Sequence, residues 1–213
     1  MQLLLTSNGI DESFESKFLS LIDKKPGAIS VAFVTTAAYG EGENIDWLLI
    51  YKQQLQRCGI TDIEELDIRH KTQEELGKIL IDKDILFING GNTFFLLDWV
   101  KKSGFDNLIK DFIDEGKLYV GASAGSIICC PTIESASWEP DPDKNNVGMT
   151  DFSGLHFVDF LITPHFNKKY YPMIMPHTKL IKYPIVALTD SQAILVNDNN
   201  YEIIGTGEKL TFE

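Results

Sequence analysis

The sequence predicts an α/β protein in which helices cover both faces of a mostly parallel sheet. Short, continuously apolar segments such as ISVAFVT (residues 29–35) and DILFI (residues 84–88) are typical of strands buried on both faces. Longer segments between them carry apolar residues at helical spacing. This alternation runs through the first ~130 residues and predicts right-handed βαβ units in a three-layer α/β/α arrangement.

The helices and strands of the first ~130 residues are predicted from the spacing of apolar residues and from the residues that end or begin a helix. Pro26-Gly27 interrupts the first helical pattern, Gly59 follows the second, and Thr72 with Glu75 forms a capping box at the third. The predicted strands are 3–6, 29–35, 63–68, 84–88 and 118–122. The predicted helices are 12–23, 44–57, 72–80, 92–102 and 105–114, with a further helix after Ser123.

The remainder of the chain has a different pattern. Residues 134–151 read as a polar loop, 160–163 as a strand and 173–181 as a helix. Three short strands follow at 185–189, 193–197 and 201–205, the last two as a hairpin. The sequence contains no repeat, low-complexity stretch or linker, so we expect one domain over residues 1–213.

The composition makes several classes of function unfavourable. The 213 residues include 19 basic and 31 acidic side chains, so the formal net charge is −12, which disfavours nucleic acid and anionic membranes as partners. Three cysteines give no disulfide framework and no zinc spacing. No signal peptide and no membrane-length apolar run are visible, so we expect a cytoplasmic protein without a metal or cofactor.

The strongest local motif is Gly121-Ala122-Ser123-Ala124-Gly125, which fits G-x-S-x-G. It lies between a predicted strand and a predicted helix, as a nucleophile elbow requires. Amides at the start of the helix point toward a developing oxyanion. The alternative is a glycine-rich turn with an incidental serine.

A serine nucleophile needs a general base, and the chain has four histidines. His165 follows the predicted strand 160–163, and active sites in open α/β sheets form at the carboxyl ends of strands. His165 is therefore the favoured base and His156 the second choice. A second oxyanion donor is expected from Gly90-Gly91 after the strand 84–88, although these glycines also suit a plain turn.

GASAGS, INGGNTF and ITPHF, in this order and spacing, resemble the serine peptidase family of dipeptidase E and cyanophycinase. The resemblance covers nearly the whole chain and implies the fold of the class I glutamine amidotransferases, with flavodoxin-like topology. It implies Ser123 as nucleophile, His165 as base, and the amides of Gly91 and Ala124 as the oxyanion hole. It also implies hydrolysis of a peptide bond in a small substrate. We expect the protein to be a monomer or homodimer.

Two positions depart from dipeptidase E. Where that family member carries its acid after the nucleophile helix, residues 135–138 read Ser-Ala-Ser-Trp, so we take Glu139 as the acid, with Asp141 and Asp143 as alternatives. The arginine-bearing segment after the histidine is also missing, and Lys168 and Lys169 stand there. We therefore expect a weaker preference for an N-terminal aspartate.

Three other functions remain open at this stage. An esterase would use the same acyl transfer. A catalytically inactive ligand-binding protein of the same fold would lack a carboxylate at His165. A flavodoxin-like binding protein would need a phosphate loop after the first strand, which Thr6-Ser7-Asn8-Gly9 suggests only faintly.

Overall fold

The structure is a computed structural model that describes residues 1–42, 45–138, 140–198 and 200–213. A seven-stranded sheet in the order β3-β2-β4-β5-β1-β8-β9 forms its centre, and a three-stranded sheet in the order β10-β7-β6 lies apart from it. The strands are β1 (Gln2–Thr6), β2 (Ser30–Val34), β3 (Asp62–Leu66), β4 (Ile85–Ile88), β5 (Leu118–Ala122), β6 (Leu161–Thr163), β7 (Ile185–Ala187), β8 (Gln192–Asn197), β9 (Asn200–Gly205) and β10 (Leu210–Phe212).

The large sheet is parallel from β3 through β1 and antiparallel only where β8 and β9 extend it. β5 lies between β4 and β1, so the strand that leads into Ser123 is central. The predicted mostly parallel sheet is confirmed.

The helices connect these strands on both faces. They are α1 (Glu15–Leu19), α2 (Leu49–Arg57), α3 (Gln73–Leu80), α4 (Thr93–Ser103), α5 (Phe105–Asp114), α6 (Ala124–Ile127) and α7 (Tyr171–Thr178). The capping box predicted for α3 is present: the Thr72 hydroxyl accepts from the Glu75 amide at 3.3 Å, and Glu75 accepts from the Thr72 amide at 2.8 Å.

Two buried apolar clusters lie on opposite faces of the large sheet, as the alternation along β1 shows. Leu3 and Leu5 belong to the cluster that contains α3, α4 and α5, whereas Leu4 belongs to the cluster that contains Phe18 of α1 and Leu55 of α2. Successive side chains of a strand point to opposite faces. Helices therefore cover both faces, and the predicted three-layer arrangement is confirmed.

Several element bounds differ from the prediction. The predicted helix 12–23 is a 3-10 turn at Glu12–Phe14 followed by α1, which ends at Leu19. The predicted helix 44–57 has a 3-10 turn at Asp46–Leu48 before α2, and residue 44 lies outside the described residues. The pairing of β6, β7 and β10 in a second sheet was not predicted, because strands of three residues carry little pattern.

Candidate active site

Polar residues converge where the central strands of the large sheet end. Ser7 follows β1, Gly91 follows β4, and Ser123 follows β5. His165 follows β6 of the small sheet, and Asp190 lies between β7 and β8. The carboxyl ends of parallel strands form such a cluster because they lie at one edge of the sheet.

Ser123 occupies a sharp turn between β5 and α6. Its backbone has φ 49° and ψ −108°, a conformation that a residue with a side chain rarely adopts, and its amide donates to the Thr6 carbonyl oxygen at 3.0 Å. Glycines allow strand and helix to cross here. A Cβ atom on Gly125 would lie 2.1 Å from the Ile88 carbonyl oxygen, and one on Gly121 would lie 2.5 Å from the Gly125 carbonyl oxygen.

A hydrogen-bonded chain runs from Ser123 through His165 to a carboxylate. His165 Nε2 lies 3.1 Å from Ser123 Oγ, and His165 Nδ1 lies 2.6 Å from Asp190 Oδ1. The side chains of His165 and Asp190 are 49% and 58% exposed, so the pair faces solvent. The arrangement has the order of a nucleophile, a base and an orienting acid.

Ser7 connects the large sheet to both partners of this pair. Its buried hydroxyl accepts from the His165 amide at 2.8 Å and donates to Asp190 Oδ1 at 3.3 Å. His165 has a φ of 56°, so this hydrogen bond helps to hold a strained backbone in place. One hydroxyl thereby fixes the relative position of the imidazole and the carboxylate.

The surroundings of Asp190 favour its ionised form. The hydrogen bond with His165 lowers the pKa of the Asp190 carboxyl below its usual range, against the opposing effect of partial burial. The positive charge of a protonated His165 and the hydrogen bond from Ser7 lower that pKa further. Asp190 therefore remains an anion that can stabilise an imidazolium.

Two backbone amides beside Ser123 are free to donate. Among the described residues, neither the Gly91 amide nor the Ala124 amide has a hydrogen-bond acceptor. Gly91 has a φ of 123°, and a Cβ atom there would lie 2.4 Å from the backbone of Ala37. Only glycine fits this turn, which lies at the wall of the same cavity as Ser123.

A cavity of about 500 Å³ opens over Ser123 and His165. Its walls come from five places: the segment after β2 that holds Glu41, the end of β4, the turn around Ser123 with α6, the loop before and after residue 139, and the segment that follows β6. Such a volume is in the range that small organic ligands occupy in proteins.

Comparison with known proteins identifies the family of the chain. The family model described as peptidase family S51 matches residues 3–204. The chain belongs to this family. As an S51 member with relatives named peptidase E, it is a serine-type peptidase.

Individual S51 relatives cover most of the chain. An uncharacterized peptidase of Listeria innocua is 34% identical over 175 residues, which span 79% of this chain and 81% of that protein. A peptidase E of Nostoc sp. PCC 7120 is 26% identical over 223 residues, which span 96% and 86%. The crystal structure of a candidate peptidase E protein from Listeria monocytogenes EGD-e has a TM-score of 0.80 at 29% identity, and the match covers 97% of this chain and 98% of that one.

The carboxylates expected from the S51 resemblance do not include the one that contacts His165. Glu139 lies outside the described residues, so its role stays a prediction. Asp141 lies in the cavity wall, and Asp143 accepts from the Thr93 amide at 2.7 Å. The structure instead places Asp190 at Nδ1 of His165. A signal was available, because Asp190 directly follows the predicted strand 185–189.

The other histidines of this S51 peptidase lie in other settings. His156, the second choice as base, lies 2.9 Å from Asp159 on the surface, and His70 packs edge-on against Trp99. His177 stacks on Trp138, with ring centroids 4.1 Å apart. Among the described histidines, His165 is the one that contacts Ser123.

None of the helices in the described parts of the chain has the length and apolar character that crossing a membrane requires. The described cysteines, Cys58, Cys129 and Cys130, are all buried and unpaired.

Proposed function

We propose that this S51 peptidase hydrolyses small peptides with Ser123 as nucleophile, His165 as general base and Asp190 as the acid of a catalytic triad. The observation that supports these roles is the continuous path from Ser123 Oγ to His165 Nε2 and from His165 Nδ1 to Asp190, with distances of 3.1 and 2.6 Å. Both distances are in the range for hydrogen bonds. Asp190 takes the role that the sequence suggested for Glu139.

The proposed reaction is a two-step acyl transfer. His165 Nε2 takes the proton of the Ser123 hydroxyl as Oγ attacks the carbonyl carbon of the scissile bond. The oxygen of that carbonyl becomes an anion and accepts hydrogen bonds from the Gly91 and Ala124 amides. The C–N bond then breaks, and His165 gives the proton to the leaving amine.

Water completes the cycle by the same route. His165 takes a proton from a water molecule, whose oxygen attacks the ester on Ser123, and then returns that proton to Oγ as the ester C–O bond breaks. Asp190 stays ionised throughout, holds Nδ1 protonated and stabilises the imidazolium. We expect this chemistry in a cytoplasmic monomer or homodimer without a metal or cofactor.

The contact between Asp190 and His165 bears on the alternative that the protein is catalytically inactive. An inactive ligand-binding protein was suggested by the tryptophan at position 138, where dipeptidase E carries its carboxylate. Asp190 supplies a carboxylate from a different loop, which favours an active enzyme. An esterase uses the same residues, so substrates rather than geometry separate the two activities.

The test is covalent labelling followed by turnover. We expect a fluorophosphonate probe to label the wild-type protein and the Ser137→Ala control, whose altered serine is exposed near the cavity. Ser123→Ala should lose labelling and all hydrolysis of a dipeptide panel while it keeps its melting temperature. Equal labelling of wild type and Ser123→Ala would disprove the nucleophile. Cleavage of esters but of no peptide would identify the alternative activity.

A further inference from the structure

The cavity over Ser123 carries an excess of negative charge. Apart from His165, four charged side chains line it among the described residues: Glu41, Asp141, Asp143 and Lys144. Three carboxylates thus face one ammonium group. Because a cavity with walls of low dielectric focuses the field of its charges, this imbalance discriminates among charged substrates.

These carboxylates have not been neutralised by the protein. In the described parts of the chain, Glu41 and Asp141 form no ion pair, and Asp143 accepts only from the Thr93 amide. Burial is the main cause that raises the pKa of the Asp143 carboxyl, and the charges of Glu41 and Asp141 raise it further. The charges of Glu41 and Asp141 therefore act on Asp143, and a cation bound near these carboxylates would offset that effect.

Two of these carboxylates lie on a restrained loop. Pro140 and Pro142 flank Asp141 and restrict its backbone, and the Asp143 amide donates to the Ala136 carbonyl oxygen at 2.8 Å. Within the described residues, no three side chains of His, Cys, Asp or Glu come close enough to hold a metal ion. An organic cation is the ligand considered for these charges.

The same cavity wall contains a buried hydroxyl without a hydrogen-bond partner among the described residues. Ser135 lines the cavity, is 7% exposed, and its Oγ has no hydrogen-bond partner among the described residues. A buried hydroxyl without a partner costs free energy and is rare in native proteins. A hydroxyl oxygen can accept a hydrogen bond from an ammonium or guanidinium group.

The remaining wall suits an aliphatic chain. Ile127, Ile174 and Trp138 are nearly buried side chains that line the cavity. Lysine and arginine bury their methylene stems against apolar surface and keep the charged end among polar groups. The cavity offers both an apolar wall for the methylene stem and carboxylates for the charged end.

The basic residues that would favour an acidic substrate lie elsewhere. Arg57 pairs with Glu15, and Arg69 pairs with Asp67. Lys168, considered above for binding a carboxylate, pairs with Glu208 at 2.9 Å, and Lys169 lies over the Tyr170 ring. Among the described residues of the cavity wall, Lys144 is the one permanent cation.

We propose that this cavity selects peptides with a lysine or arginine side chain next to the scissile bond. The proposal rests on the proposed function of Ser123 and adds the substrate class to it. The methylene stem lies along the apolar wall, and the charged end reaches the carboxylates beside Ser135. An aspartate at the same place meets like charge and is rejected.

Matched dipeptides test the charge alone. Norleucine replaces the lysine ammonium group with a methyl group, so Lys-Ala is compared with Nle-Ala, and Ala-Lys with Ala-Nle, with Asp-Ala as the acidic substrate. Both peptides of a pair carry the same charged terminal amine, so its contribution to kcat/KM cancels in the ratio of lysine to norleucine. We expect kcat/KM to be at least about tenfold higher for lysine than for norleucine in one pair, and Asp-Ala to be the slowest. The pair with the larger ratio of lysine to norleucine shows whether the cavity binds the side chain before or after the scissile bond.

Two variants and a control connect the preference to the cavity. Asp141→Asn and Glu41→Gln should each reduce the ratio of lysine to norleucine several-fold, because each removes one charge from an exposed position. Asp23→Asn removes the same charge from an exposed site beyond α1 and should leave the ratio unchanged. Added salt should lower the wild-type ratio. Equal rates for lysine and norleucine in both pairs would overturn the proposal.

Binding separates this proposal from the catalytic one. Calorimetric titration of Ser123→Ala with Lys-Ala, Nle-Ala, Ala-Lys and Ala-Nle requires no turnover. Tighter binding of a lysine peptide than of its norleucine counterpart supports the proposed selectivity of the cavity. If the wild-type protein is then neither labelled by the fluorophosphonate nor able to cleave any peptide, only the catalytic proposal is disproved. Active cleavage with equal binding of the lysine and norleucine peptides would disprove only the selectivity.

Discussion

Ser123 lies at the end of a central strand of the large sheet, whereas His165 and Asp190 lie on loops that follow three-residue strands of the small sheet. The serine is held by close backbone packing, since Gly125 lies against Ile88 with no room for a side chain. The other two are held by few hydrogen bonds. The proposed reaction thus depends on a closely packed half and on a half whose geometry rests on a few hydrogen bonds.

The loop half is aligned by the pairing of β6 with β7. Thr163 pairs with Ala187 in parallel, and beyond that pair the Leu188 amide donates to the Thr163 carbonyl oxygen at 3.0 Å. The Phe166 amide donates to the Leu188 carbonyl oxygen at 2.8 Å. The two loops therefore leave the small sheet at the same level, which brings an imidazole and a carboxylate 25 positions apart into contact.

The largest effect is expected from the acid in the loop half. Asp190→Asn keeps the size of the side chain but removes the charge that stabilises the imidazolium, so kcat should fall by roughly 10²–10⁴. Steady-state kinetics on a cleaved dipeptide measures this loss. Asp159→Asn is the matched control, because Asp159 makes a similar contact with His156 on the surface. An active Asp190→Asn would return the role of acid to Glu139 or show a dyad.

The next effect is expected from the closely packed half. Gly125→Ala places a Cβ atom against the Ile88 carbonyl oxygen, and backbone on both sides leaves no flexible group to move. We expect a loss of about 1–3 kcal/mol in the free energy of unfolding. A displaced Ser123 should also lower kcat about 10²-fold. Denaturant unfolding and kinetics on the same sample check both.

Gly27→Ala provides the control, because a Cβ atom there meets no described atom within 4 Å. Unchanged stability and turnover in Gly125→Ala would show that the serine turn tolerates displacement, and the contrast between the two halves would then fail.

The two halves also differ in how far the sequence predicts them. The residues around Ser123 form a local motif, because an elbow needs its glycines and serine within five positions. His165 was found from the end of a predicted strand. Asp190 was missed, since the contact depends on the register of two short strands distant in sequence. The large sheet was predicted from its apolar runs. In the small sheet the strands 160–163 and 185–189 were predicted, but their pairing and the strand β10 were not.

A smaller effect is expected at the hydroxyl that joins the halves. Ser7→Ala removes one hydrogen bond to the His165 amide and one to Asp190, so the imidazole is held less firmly and kcat should fall about tenfold. One cause of the lowered pKa of the Asp190 carboxyl is also lost. That pKa should rise, as an NMR titration of the Asp190 carboxyl would show. A loss of activity with an unchanged carboxyl pKa would point to a general structural role.

The smallest effect is expected from thiol modification, which tests the rigidity of the serine half directly. Cys129 and Cys130 follow α6, and both are fully buried. Burial raises the pKa of the Cys129 thiol to about 12, so at pH 8 only about one molecule in 10⁴ carries the reactive thiolate. Iodoacetamide should therefore leave native protein unlabelled and fully active, as mass spectrometry and a peptide assay would show. In Gly125→Ala, loosened packing should make these cysteines react faster, while Ser7→Ala should not change their reactivity. Rapid labelling of the native protein would mean that the serine half opens readily, and the loops around His165 would then not be the more weakly held part.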